Sequence, residues 1–366
     1  MPTVQVIRSN QELRSAVRQA MVYHGDKSDL NHLDVSALTD FSNIFQKTRF
    51  NGDISQWDVS QATDMSGMFQ GSHFNGDISA WNVSKVVRFS KMFLDASFNG
   101  DISNWDVASG QHFDHMFGSS RFAGDLSKWN MANATTLAYM FFNGFFKGDI
   151  SRWNTGRVKD MSAMFACTQF NGDLAQWDVS SVVFLTEMFS NTVFNGDLSR
   201  WNTANVQDME GLFCDSMFNG DISGWDVSKV TTMARMFENA AFNGDLAGWN
   251  MANVEDVGRM FQEGEFAQDI SGWQMRPSNT ARMFWGNESG AAAQSRTPDW
   301  FIPVRIETDG DFKDPLWQQA MEGYRATHLA LGLHPNDKVR DVTALHASLL
   351  ENADCFLPEL DMGETS

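Results

Sequence analysis

The sequence predicts a repeat solenoid of leucine-rich-repeat type: short parallel strands on a concave side, helical turns on a convex side, and a cap at each end. Three observations carry this expectation. A 24-residue unit runs ten times without an insertion, its leading Phe falling at Phe50, Phe74, Phe98, Phe122, Phe146, Phe170, Phe194, Phe218, Phe242 and Phe266. A Trp follows at a fixed distance in every copy, from Trp57 to Trp273. A unit this short buries its apolar face only against copies of itself, so the units must stack.

The elements follow in chain order. Val4 to Ile7 reads as a strand, and Ser9 with Glu12 three residues on is a capping box opening a helix that runs to about His24. Residues 1–25 are therefore expected to close the first end of the stack. Residues 26–49 form a degenerate first copy, with Leu33 where the Trp belongs, as suits a terminal coil stacked on one side only. Within the type unit, residues 50–73, the order Ile54, Trp57, Val59 ends in a period of two and predicts a short strand. Met65, Met68 and Phe69 stand at i, i+3 and i+4 and predict one or two helical turns with an inward stripe. Phe-Asn-Gly-Asp is the return turn, its Gly read as a source of backbone freedom.

After Trp273 the repeat is one residue short and meets Pro277, so the solenoid is expected to span 26–285. Residues 286–299, rich in Gly, Ala, Ser and Asn, read as a linker. Residues 300–366 read as mainly helical, through Leu316 to Leu331 and Val339 to Leu350, forming a C-terminal cap or a small module of their own.

Copies such as Phe50 to Phe69 and Phe218 to Phe237 resemble the repeat of the BspA-like leucine-rich-repeat group of bacterial surface proteins. The resemblance covers roughly residues 30 to 285. It implies a leucine-rich-repeat-like solenoid, of a kind often found on surface or lipidated proteins that bind other proteins or host components. The chain departs from that group in having no signal-peptide core and no lipid-attachment Cys near its start, and a shared fold does not transfer a partner.

Composition narrows the function classes. Lys and Arg number 27 against 46 Asp and Glu, a net charge of −19, which argues against a nucleic-acid partner because phosphates must be neutralised by cations. Cys167, Cys214 and Cys355 are an odd set in unrelated settings, so no disulfide framework is expected. No apolar run is long enough for a membrane span. The expected location is the cytoplasm, or secretion by a route independent of a signal peptide.

Candidate site residues divide into the repeating and the departing. The Asp column (Asp53, Asp77, Asp101, Asp125, Asp149, Asp173, Asp197, Asp221, Asp245 and Asp269) is read as a structural ladder satisfying turn N–H groups. Calcium binding is the weaker alternative, since no second fixed acid accompanies it. The Asp58, Asn82, Asp106 column is read as a polar floor on the concave sheet. Recognition is sought where copies differ. Lys128, Arg152 and Arg200 make a basic strip, either a dock for an acidic partner or ordinary solvated charge. Val87, Tyr139, Phe142, Phe145, Val183 and Phe184 fill columns read as holding Thr, Asp, Lys or Ser elsewhere, either as a binding patch or as local packing. No metal-ligand spacing, nucleophile context or phosphate loop stands out, so no cofactor is expected. The leading reading is a non-enzymatic protein-binding solenoid, an intracellular inhibitor or immunity-type protein or a host-directed secreted protein. The alternatives are an effector whose repeats deliver an enzymatic C-terminal module and, last, an acidic nucleic-acid mimic.

Overall fold

Backbone hydrogen bonding runs mainly between coils, and that single property sets the architecture. The computed structural model describes residues 4–275 and 279–287, all within the first of the two units into which the chain divides, Met1–Ile302. The expected module at 300–366, and all but the first two residues of the expected linker, lie outside the described residues.

At the start, β1 (Gln5–Val6) pairs in parallel with β2 (Leu33–Asp34), Gln5 beside Leu33 and Val6 beside Asp34. The helix α1 (Asn10–His24) follows β1. Ser9 Oγ accepts the N–H of Glu12 at 3.1 Å, the cap half of the expected box, while the Glu12 carboxylate accepts the N–H of Arg8 at 2.9 Å, one residue before the cap instead of at Ser9 itself. Ile7, Leu13 and Val17 are buried on the core of the first coil.

Beyond α1 each coil lies beside the next in a fixed register. Parallel bridges join Asp40 to Asp64, Asp64 to Arg88, Arg88 to His112, and so onward at this one position to Asp256. The final bridge, Asp256 to Asn279, closes the copy that is one residue short.

Strands and helical turns do not fall where the residue spacing predicts. Ile54 to Trp57 and Val59 to Ala62 are closed turns, with the N–H of Trp57 on the Ile54 carbonyl at 3.1 Å and the N–H of Ala62 on the Val59 carbonyl at 2.9 Å. Trp57 and Val59 are both buried because two successive turns each return the chain inward, not because a strand alternates. Met65, Met68 and Phe69 do point into the core, but no helix carries them. The N–H groups of Met65, Gly67, Phe69 and Gly71 donate to the carbonyls of Arg88, Ser90, Met92 and Leu94 in the next coil, at 2.8 to 2.9 Å. The intervening N–H groups of Met68, Gln70 and Ser72 close tight turns on Met65, Gly67 and Phe69. An α-helix would send these donors four residues back and leave the coils unjoined.

That geometry needs two left-handed residues per coil. Gly67 and Gly71 hold φ of +60° and +61°, and the same two positions stay left-handed whatever residue occupies them, as at Tyr139 (+58°), Ala163 (+49°) and Cys167 (+58°). Such conformers cost energy in isolation and persist where neighbouring structure over-determines them. Here the coils on either side do so.

The interior is a set of aromatic columns. Phe50, Phe74, Phe98 and Phe122 stack at 6.1 to 6.3 Å, and Phe69 lies 4.4 Å from Phe74 and 5.5 Å from Phe93. Each Trp adds a polar tie between coils: Trp57 Nε1 donates to Leu30 O at 3.0 Å, Trp153 Nε1 to Leu126 O at 3.0 Å, and Trp273 Nε1 to Leu246 O at 2.9 Å. The donation always runs to the preceding coil, and the first coil has none. Leu33 replaces Trp there for that reason, and its backbone pairs with β1 instead.

The Gly of the return turn serves a different purpose from the one its type suggests. Gly76 does not adopt a positive φ; a Cβ there would lie 2.8 Å from the ring of Phe74. The Phe two residues earlier folds its ring over the glycine, and that contact excludes a side chain.

Candidate functional site

The repeating carboxylates are held in local turns. Asp53 Oδ1 accepts the N–H of Ser55 at 2.9 Å, Asp58 Oδ1 that of Ser60 at 3.0 Å and Asp64 Oδ1 that of Ser66 at 2.9 Å, giving the type coil three Asx-turns. Hydrogen bonds from the Ser55, Ser79 and Ser127 N–H groups, helped by the same residues' hydroxyls, hold the Asp53, Asp77 and Asp125 carboxyls below the usual carboxylate range. The Asp58 and Asn82 column thus bonds within its own coil; it does not floor a sheet. The side-chain ladder that does cross between coils is one position from the leading Phe. Asn51 Oδ1 accepts the N–H of Asn75, Asn75 Oδ1 that of Asn99, and Asn195 Oδ1 that of Asn219, at 2.8 to 2.9 Å. Sequence reading assigned this Asn to a turn; its near-fixed column was the signal for a ladder. Among the described residues no group of three or more His, Cys, Asp or Glu side chains is placed to hold a metal ion.

The basic strip shares its turn with the Asp ladder. Lys128, Arg152 and Arg200 are exposed, and each follows an Asp of its own coil, Asp125, Asp149 or Asp197, by three residues. After the Ser127 and Ser151 hydrogen bonds, Lys128 and Arg152 contribute to keeping Asp125 and Asp149 ionised. Lys128 Nζ also donates to Asn104 Oδ1 at 3.3 Å. With carboxylates interleaved on the same turn, the three cations do not make an uninterrupted positive track.

The apolar departures occupy a different segment, the stretch equivalent to 63–73. Tyr139 stacks on His115 with ring centroids 4.6 Å apart and meets Phe142 edge-on at 5.6 Å. Phe145 is 48% exposed and Phe184 43%, while Val183 is half-buried. Phe184 sits in the bridge column between Asp160 and Asp208. The coil between these aromatics, residues 146–169, presents Ala163 and Ala166 in columns held by larger residues on both sides, Tyr139 and Glu187 in one, Phe142 and Ser190 in the other, and the two alanines are buried to 0% and 2% exposure. Ala163 and Ala166 are thus covered rather than open to solvent, between a Tyr139–Phe142 wall and a Phe184–Glu187 wall. Burial, and then the charges of Glu187 and Asp160, raise the Tyr139 hydroxyl above its ordinary value. Sequence reading found the wall aromatics but passed over the alanines between them.

Carboxylates gather at the second wall and beyond it. Glu187, Asp208, Glu210 and Asp215 lie in adjoining coils. Arg235 reaches Glu238 at 2.6 Å and Glu187 at 3.8 Å. Burial first, and Asp208 second, push the Glu210 carboxyl up. Cys167, half-buried, and Cys214, buried, are free thiols in this stretch, burial pushing Cys167 up to about 11 and Cys214 up as well.

Tandem copies of one unit, bonded coil to coil, define the chain as a repeat protein. It belongs to the family described as "Mycoplasma protein of unknown function, DUF285", whose model matches residues 11–121, 39–145, 111–216 and 185–297. No curated protein and no solved structure matches the chain. No helix among the described residues is long and apolar enough to cross a membrane.

Proposed function

We propose that the chain is a non-enzymatic, protein-binding solenoid whose docking face is the outward segment of its central coils. The observation that carries this reading is the pair of aromatic walls, Tyr139 with Phe142 and Phe184 with Val183, on either side of a coil of small residues. Elsewhere the same columns are mostly polar or small, with Val87, Leu94 and Trp285 as the apolar exceptions, so stacking does not require aromatics in the central coils. Half-exposed aromatic rings on a rigid frame bind with little loss of conformational freedom, and such rings dominate interface energetics. Phe145 extends the face at its edge. The strip of Lys128, Arg152 and Arg200 lies on the Asp turn and is not assigned to it.

A random-peptide display library panned against the full chain tests the reading. Enriched peptides are expected to lose at least tenfold in affinity for the Y139A/F142A/F184A variant. Peptides retained equally by that variant would overturn it.

A further inference from the structure

We infer that the return turns of two neighbouring coils, 121–128 and 145–152, bind an acidic segment of another protein, one carboxylate taking the Lys147 backbone N–H where other coils offer an asparagine oxygen. The inference goes beyond the docking face proposed above and does not depend on it.

The interrupted asparagine ladder comes first. From Asn51 to Asn99, and again from Asn171 to Asn243, each asparagine Oδ1 accepts the equivalent N–H of the next coil at 2.8 to 2.9 Å. Between these runs Ala123 and Lys147 stand in the column and bring no acceptor oxygen. The next N–H groups in the column, those of Lys147 and Asn171, accordingly form no hydrogen bond among the described residues. A backbone donor without a partner is a standing invitation to an acceptor. Ala123 and Lys147 are both exposed, and alanine leaves the place of the missing amide group unfilled, so an acceptor from outside the chain can reach the Lys147 N–H.

Charge comes second. Counting Lys and Arg against Asp and Glu, the return turns from 49–56 to 265–272 are neutral or negative except in these two coils. Here Arg121 and Lys128 outnumber Asp125, and Lys147 and Arg152 outnumber Asp149. The two carboxylates are held in their own turns by the Ser127 and Ser151 N–H groups, at 2.8 and 2.9 Å. Lys147 Nζ donates to Gln169 Oε1 at 2.6 Å, and an ammonium with three donors can hold an anion as well. Equivalent residues of adjacent coils stand about 5 Å apart, which brings Arg121 and Lys147 to one locality. A carboxylate there makes charge-assisted bonds, stronger than those of the neutral amide oxygen it replaces. Phe145, in the Arg121 column and 48% exposed, adds an apolar contact for the same segment. Stacking requires neither the broken ladder nor the reversed charge, since the coils on both sides do without them, yet both fall in the same two coils. The rest of a chain with a net charge of −19 repels an acidic segment and so fixes where it lands.

The test uses the full chain and two fluorescein-labelled octapeptides, one of alternating glutamate and valine, the other with glutamine for each glutamate. Anisotropy is read at low and at physiological ionic strength. The glutamate peptide is expected to bind, to weaken with salt, and to bind at least tenfold more tightly than the glutamine peptide. Ala123→Asn restores the ladder, so it is expected to keep or raise the unfolding midpoint while weakening the glutamate peptide at least tenfold. R121Q/K147Q is expected to weaken that peptide at least tenfold and to flatten its salt dependence. The Y139A/F142A/F184A variant is expected to bind it unchanged, which separates this site from the docking face. Glutamate-peptide binding that Ala123→Asn leaves unchanged would overturn the inference, as would no binding or equal binding of the glutamine peptide. An unfolding midpoint lowered by Ala123→Asn would show that no acceptor fits over Ala123, and loss of the peptide in Y139A/F142A/F184A would move it to the docking face; either result overturns the inference too.

Discussion

Gly76→Ala is expected to destabilise the stack although it adds one methyl group at a partly exposed corner. Its Cβ would sit 2.8 Å from Phe74 Cε2 and 2.9 Å from Cζ, with the Gly52 carbonyl oxygen at 3.2 Å. The Phe74 ring has no room to yield, since it is fully buried between Phe50 and Phe98 at 6.1 and 6.2 Å, with Phe69 at 4.4 Å. Overpacking of this kind costs about 1–3 kcal/mol. Gly224→Ala is the internal control: no atom lies within 4 Å of its added Cβ and its φ is not left-handed. Restricting the unfolded chain there should stabilise by about 0.4–1 kcal/mol. The two alanine variants are thus separated by roughly 1.4–4 kcal/mol. Guanidinium unfolding followed by tryptophan fluorescence reads the difference as a lower midpoint for Gly76→Ala and an equal or higher one for Gly224→Ala. A Gly76→Ala midpoint at or above that of Gly224→Ala would refute the ring-over-glycine explanation. The last coil already carries Gln268 at this position, where Phe266 stacks on a ring of its own column, Phe242, on one side only among the described residues.

Further expectations follow from other contacts. Trp153→Phe should lower stability by about 2–3 kcal/mol, because the Leu126 carbonyl loses its buried donor and the smaller ring leaves a void; an unchanged unfolding midpoint would contradict this. Ala163→Val should cost about 1–3 kcal/mol through a β-branched residue at φ of +49°, checked by the same unfolding assay. The melting temperature should rise as pH falls from 7 towards about 5 and drop below about 4. Glu210, Glu238 and Glu263 have folded pKa values raised chiefly by burial, so their ionisation opposes folding until they protonate. Asp53, Asp77 and Asp125 have lowered values, so the stability they add above the unfolded value is lost as pH falls through the folded one. A melting temperature falling steadily from pH 7 would count against the assignment. Cys167 and Cys214 should resist alkylation at pH 7.5 until the chain unfolds, as mass spectrometry of peptides can show.

The inward set of side chains was legible in the sequence because burial leaves a periodic trace whatever backbone produces it. Phe50, Trp57, Val59, Met65, Met68 and Phe69 are all buried. Their conformation was not legible. Spacing of i, i+3, i+4 at Met65, Met68 and Phe69 fits a helix and also fits tight turns with left-handed corners, and only the destination of the N–H groups separates the two. That destination lies one coil away, in a contact no local pattern records. The left-handed positions were masked for a related reason: Lys91, His115, Tyr139 and Arg235 occupy one of them, and a residue type chosen for its outward side chain hides the backbone beneath it. The aromatic walls stood out as departures, whereas Ala163 and Ala166 between them did not, because small residues draw attention only when their neighbours are known.

Donation from Met65, Gly67, Phe69 and Gly71 runs into the following coil, while Thr63, Asp64 and His73 donate back to Thr39 O and Thr48 O, so the two ends of the stack present different donor and acceptor patterns. The first coil turns carbonyls outward, and Asn10 of α1 meets them with its side-chain amide, on Ser42 O at 2.9 Å and Asp40 O at 3.4 Å, while the N–H groups of Gln5 and Ile7 take His32 O and Asp34 O. A lid built of donors fits that end and would fit no face that offers donors itself. Whole coils can therefore be excised or duplicated in register behind α1 without changing any hydrogen-bond partner type, provided the coil that receives the lid carries Leu in place of Trp. The length of such a protein is set by copy number alone, and its polarity is fixed by the first amide it meets.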